Sequence, residues 1–71
     1  MDILTPHAVE SRLVHYKRLF HNQETREHAF FHRGAASGYI DALRDQGLIT
    51  NEFHFELWTG IRNWKWVHPR A

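Results

Sequence analysis

The chain contains no cysteine, which excludes disulfide bonds and thiolate metal sites. No apolar run approaches the ~18 residues that a membrane span requires, and no signal-peptide pattern is visible. The absence of cysteine fits a reducing compartment, so we expect a cytoplasmic protein without a membrane partner. The core of so short a chain is expected to supply only about 3–5 kcal/mol. With no disulfide available, oligomerisation is the remaining means of stabilising the fold.

Neither sign of charge dominates the composition. The formal net charge is +1 at pH 7, so no general electrostatic attraction toward nucleic acid is expected. Histidine is the exception among the ionisable residues, because the chain has seven of them. Nine basic residues, seven histidines and eight acidic residues give a charge of +8 once every histidine is protonated. The protein therefore becomes clearly positive as the pH falls toward about 6.

Few prolines and glycines interrupt the sequence, and its apolar residues recur at helical spacing. Thr5 is typical of a helix N-cap, and Pro6 suits the first helical position. Gly47 suits the left-handed position that ends a helix, where Leu43 and Leu48 would meet in a Schellman motif. The sequence predicts an all-α fold, with two long antiparallel helices and a shorter third helix packed across them. The predicted helices span residues 6–21, 24–46 and 51–66 of one domain.

Two glycines lie inside the predicted second helix, opposite its apolar stripe. Gly34 and Gly38 each cost about 0.5–1 kcal/mol relative to alanine. They are incidental, or they break the helix, or they form a flat groove that receives another chain. Phe30 would lie at the rim of that groove. The groove interpretation predicts a homodimer.

The predicted third helix is apolar on two sides. Phe55, Trp58 and Trp66 form the second of these faces, with Arg62 among them. A helix of this kind is normally buried on two sides, which three short helices cannot provide. Alternatively, the helix ends near Gly60 and an irregular tail follows. The first face consists of Phe53, Leu57, Ile61 and Trp64.

The C-terminal segment interleaves basic and aromatic residues and permits three interpretations. Trp and Arg are enriched at the centres of protein–protein interfaces. Aromatic and basic side chains also stack nucleobases or bind at a membrane surface. In the third interpretation, one tryptophan closes the core and the rest of the segment is frayed.

His28 and His32 have the i, i+4 spacing of metal ligands on a helix. No third ligand is evident, and both fall within the apolar arc, where a hydrogen-bonded core histidine is the commoner outcome. Burial of the pair would make stability depend on pH. The serines lie within predicted helices and the carboxylates are scattered. We therefore expect no metal, no cofactor, no catalytic residue and no enzyme.

The segment Arg33–Tyr39, followed by Gly47–Thr50, resembles a pattern met in small accessory proteins of phages and other mobile elements; the resemblance covers residues 30–53. It implies a compact protein that binds and modulates a host protein, often as a homodimer. We therefore expect a non-enzymatic protein-binding module that inhibits a host factor. The alternative is a small nucleic-acid-binding transcriptional regulator that uses the basic aromatic C-terminus. The expected protein-binding residues are Phe30, Gly34, Gly38, Phe55, Trp58, Arg62 and Trp66.

Overall fold

A computed structural model describes residues 4–68 as three α-helices joined by two short connections. Helix α1 spans Pro6–His21, α2 spans Arg26–Asp45 and α3 spans Asn51–Arg62. Residues 63–68 form an irregular tail, and no β-strand occurs within the described range. The all-α prediction is confirmed.

Each helix begins after a threonine that caps it. The hydroxyl of each threonine accepts a hydrogen bond from the backbone N–H three residues later, which satisfies one of the unpaired donors of the first turn. Capping explains why α2 begins at Arg26 rather than at residue 24. The bounds of α1 agree with the prediction. The three bonds are Ala8 to Thr5 at 3.2 Å, His28 to Thr25 at 3.2 Å and Phe53 to Thr50 at 3.1 Å.

The turn between α2 and α3 is the predicted Schellman motif. Gly47 has a φ of 73°, a left-handed conformation that glycine adopts without steric penalty. Its N–H donates to the carbonyl of Arg44 at 3.0 Å, and the N–H of Leu48 donates to the carbonyl of Leu43 at 2.9 Å. The Leu4 N–H donates to the Leu48 carbonyl at 2.9 Å, which ties the chain before α1 to this turn.

Helix α2 is the central element, because α1 and α3 both pack against it. Ala36 and Ile40 at its middle are fully buried, as their place on the apolar stripe of α2 predicts. Half-buried side chains such as Tyr16, Tyr39 and Trp58 border this core. The main cluster of the core consists of Val9, Leu13, Ala36, Ile40, Leu43, Ile49 and Ile61, and Phe20 and Ala29 are buried besides.

Helix α3 is shorter than the predicted span 51–66, because it ends at Arg62. The N–H of Asn63 donates to the carbonyl of Gly60, and the N–H of Trp64 donates to that of Ile61, both at 3.1 Å. Each of these bonds spans three residues rather than the four of an α-helix. They close the last turn, and the chain then leaves the helix. The ring of Trp64 lies 5.6 Å from the ring of Phe20 in α1, centroid to centroid. The interpretation that ended the helix near Gly60 is therefore the right one.

Candidate interaction surfaces

The outward side of α3 carries a row of three stacked side chains, Phe55, Trp58 and Arg62, which we call the α3 row. The spacing of three and four residues places them on one side of the helix. The rings of Phe55 and Trp58 are stacked, with centroids 6.1 Å apart and planes inclined by 28°. The Arg62 guanidinium lies 4.7 Å from the centroid of the Trp58 ring. Phe55 is 64% exposed and Trp58 is half-buried at the border of the core, so the apolar part of the row that faces solvent is centred on the Phe55 ring.

Charges of opposite sign border the two ends of the α3 row. Glu52 and Glu56 are exposed in the first half of α3, and Arg62 is exposed at its end. None of the three forms an ion pair within residues 4–68. Gly60 is exposed between them, and a Cβ added to it would meet no atom within 4 Å. The α3 row is therefore bordered by two glutamates at one end and ends in an arginine at the other, and these charged side chains form no ion pair within the described residues.

A second surface forms where the tail returns to the start of α2; we call it the tail cleft. It has a volume of about 600 Å³. The indole Nε1–H of Trp66 donates to the backbone carbonyl of Gln23 at 2.9 Å, which fixes the tail against the α1–α2 connection. Trp66 is thus half-buried by a partner 43 residues away, rather than lying beside Phe55 and Trp58. The cleft is lined by Arg26, Phe30, Trp64, Lys65, Trp66 and Val67.

Phe30 is one of the residues that line the tail cleft. Its ring stacks with that of Phe20, with centroids 6.2 Å apart and planes inclined by 10°. The guanidinium carbons of Arg26 and Arg33 lie 5.0 and 4.3 Å from the Phe30 ring centroid. Within residues 4–68, no carboxylate lies within 4.0 Å of Arg26, Arg33 or Lys65. The cleft therefore combines aromatic surface with cations that have no acidic partner in the described part of the chain.

Gly34 and Gly38 lie exposed on α2, and a Cβ added at either would meet nothing within 4 Å. The described chain therefore neither requires these glycines nor contacts them. The seven expected binding residues divide among three places. Phe55, Trp58 and Arg62 form the α3 row, Phe30 and Trp66 line the tail cleft, and the two glycines lie on the open side of α2.

The structure does not bear out a buried His28–His32 pair. His28 is exposed and His32 is half-buried, because the apolar stripe of α2 is covered along a narrower arc than a helical wheel suggests. Within residues 4–68, no three histidine, aspartate or glutamate side chains come together as metal ligands do.

The buried histidine is His54, only 8% exposed, which the sequence analysis did not single out. Its Nε2 lies 2.6 Å from Asp41 Oδ1; because a carboxylate only accepts, Nε2 carries the donated hydrogen. The Arg44 guanidinium lies 3.4 Å from both ring nitrogens. This contact joins α3 to α2. The signal was present in the sequence, because His54 precedes Ile61 by two helical turns on the core side.

None of the helices in the described range is both long and apolar enough to cross a bilayer. Comparison with protein-family models, with curated proteins and with solved structures found no match to the chain.

Proposed function

We propose that this protein is a non-enzymatic protein-binding module that docks through the α3 row. The observation that carries the proposal is the exposed Phe55 ring stacked on Trp58. Because Arg62 covers the other end of the same ring system, the three side chains are held together before any partner arrives. Such preorganisation lowers the entropy lost on binding, and Trp, Tyr and Arg are the residues that most often dominate interface energies.

The partner that best fits the α3 row is a second copy of the chain. If two α3 helices pack antiparallel about a two-fold axis near residue 57, Glu52 of one copy faces Arg62 of the other, and symmetry forms this pair twice. Their separation of ten positions along the chain corresponds to about 15 Å of helix. Phe55 of one copy then meets the exposed Thr59–Gly60 segment of its partner, where the missing side chain permits close approach. We therefore propose a homodimer.

The contact is small, because α3 has 12 residues and a length of about 18 Å. Stable interfaces usually bury about 800 Å² on each side, which one face of so short a helix does not reach. We therefore expect weak, concentration-dependent association, which leaves the same row available to another protein. We further propose, from the sequence pattern of residues 30–53 alone, that this other protein is a host factor, modulated or inhibited when the row docks on it. The lack of cysteine supports a cytoplasmic location.

Sedimentation equilibrium over a wide concentration range tests the homodimer. We expect the wild-type chain to associate and Phe55→Ser to stay monomeric. Phe31→Ser is the matched control, because Phe31 is 72% exposed on α2 and should be replaceable without effect on association. Arg62→Glu should weaken association by like-charge repulsion, and the added change Glu52→Arg should restore it. A strict monomer at several hundred micromolar, or equal association of both serine variants, would refute the proposal.

A further inference from the structure

We propose that the tail cleft binds a nucleoside phosphate, either as a free nucleotide or as part of a single-stranded nucleic acid. The proposal goes beyond protein docking, because no residue of the α3 row lines the cleft. It concerns a separate surface beyond the C-terminal end of α3, where the tail meets the beginning of α2.

The size and walls of the tail cleft suit a flat aromatic group. Its volume of about 600 Å³ lies within the roughly 300–1,000 Å³ typical of small-molecule sites. Phe30, Trp64 and Trp66 supply three rings to its lining. The indole N–H of Trp66 already donates a hydrogen bond to the Gln23 carbonyl. The Trp66 ring therefore offers a ligand a fixed π surface and no hydrogen-bond donor. Stacking against such surfaces is the usual way in which proteins hold bases without reading their edges.

The charge of the tail cleft suits a phosphate joined to that aromatic group. Arg26 and Lys65 belong to its lining, and Arg33 lies over the same Phe30 ring as Arg26. The guanidinium carbons of Arg26 and Arg33 lie 5.0 and 4.3 Å from the Phe30 ring centroid, and a cation–π contact of this kind leaves guanidinium N–H groups able to donate to another ligand. These donors match phosphate oxygens, and the ion pairs of Arg44 with Asp45 and of His54 with Asp41 involve none of them. A neutral aromatic ligand would leave the cations uncompensated, and inorganic phosphate would leave the rings unused.

Calorimetric titration of the full chain tests the proposal with four probes: adenosine monophosphate, adenosine, inorganic phosphate and a short oligothymidylate. We expect saturable binding of the nucleotide, with adenosine and inorganic phosphate each at least about tenfold weaker, since each loses one of the two contacts. Tighter binding of the oligothymidylate, with an affinity that falls steeply with salt, would identify a single strand as the ligand. Equal affinities for the oligothymidylate and adenosine monophosphate would identify the free nucleotide as the ligand.

Four variants locate the binding. Arg26→Ala and Lys65→Ala should each weaken the nucleotide about tenfold and leave adenosine binding almost unchanged. Arg12→Ala is the matched control, because Arg12, like Arg26, lies over an aromatic ring, that of Tyr16 at 5.9 Å, but does not line the cleft. Phe55→Ser should retain nucleotide binding, which separates this site from the homodimer. No saturable binding by any probe, phosphate binding as tightly as the nucleotide, or an equal loss in Arg12→Ala would overturn the proposal.

Discussion

Replacing Gly34 and Gly38 with alanine should stabilise the protein. Both lie in the interior of α2, exposed, with nothing within 4 Å of the position that a Cβ would take. The substitution therefore meets no clash, and each alanine should contribute the helix propensity difference of about 0.5–1 kcal/mol. For a chain of this length, ~1 kcal/mol corresponds to a shift of about 4–8 °C in the unfolding midpoint. The double variant should gain the sum of the two effects if they act independently.

Gly47→Ala is the matched control, since it adds the same methyl group in equally open space. A Cβ at position 47 would also meet nothing within 4 Å, but the φ of 73° is a conformation that L-residues rarely adopt. Holding an alanine there costs about 1–2 kcal/mol, so this variant should be destabilised. The change in the free energy of unfolding is therefore expected to have opposite signs at positions 34 and 47. The difference arises from backbone conformation alone, because the space around the two positions is alike.

Urea denaturation followed by helical circular dichroism, at several protein concentrations, measures these differences. A loss of stability in Gly34→Ala or Gly38→Ala that grows with protein concentration would show that a second chain packs on the glycines. That result would refute the reasoning and restore the groove interpretation. A loss that is independent of concentration would instead show that α2 bends at these positions.

Three further predictions follow from single contacts. His54→Ala should lower the free energy of unfolding by about 1–3 kcal/mol, because Asp41 loses the hydrogen-bond donor 2.6 Å away and a gap opens between α2 and α3. An unchanged urea midpoint would contradict this. Trp66→Phe should lower the free energy of unfolding by about 1 kcal/mol and speed amide hydrogen exchange in the tail, because the Gln23 carbonyl loses its indole donor. Unaltered exchange would show that ring stacking alone holds the tail. Thr50→Ala should cost ~1 kcal/mol through loss of the α3 cap, whereas Thr50→Ser should be nearly neutral.

The parts of the fold that could be predicted from the sequence are those set by neighbours along the chain. The start of α1 follows from Thr5 and Pro6, and the α2–α3 turn follows from Gly47 and its hydrogen bonds to residues a few positions back. The start of α2 was placed too early because no glycine or proline marks the connection, and only the bond from the His28 N–H to Thr25 decides it.

The candidate surfaces were harder to predict, because they depend on contacts between distant segments. The α3 row could be read from helical spacing, since its three members belong to one helix. Trp66 was assigned to the same face on the assumption that α3 continued to residue 66, and its bond to Gln23 is invisible in local sequence. The prediction of a buried His28–His32 pair is wrong for a related reason, and His54 was not singled out: a helical wheel orders the faces of a helix but does not show how much of each is covered.

The hydrogen bond from Leu4 to Leu48 has a practical consequence for anchoring the protein to a solid support. It holds the beginning of the described chain beside the corner after α2, whereas Arg26 and Phe30 lie at the opposite end of that helix, about 30 Å away. An affinity tag or linker added at the amino end would therefore project from the far tip of a rod 44 Å long and leave the cleft open to solution. The described range ends at His68, whose ring lies 5.9 Å from that of Trp66, so immobilised binding assays should use attachment ahead of Leu4.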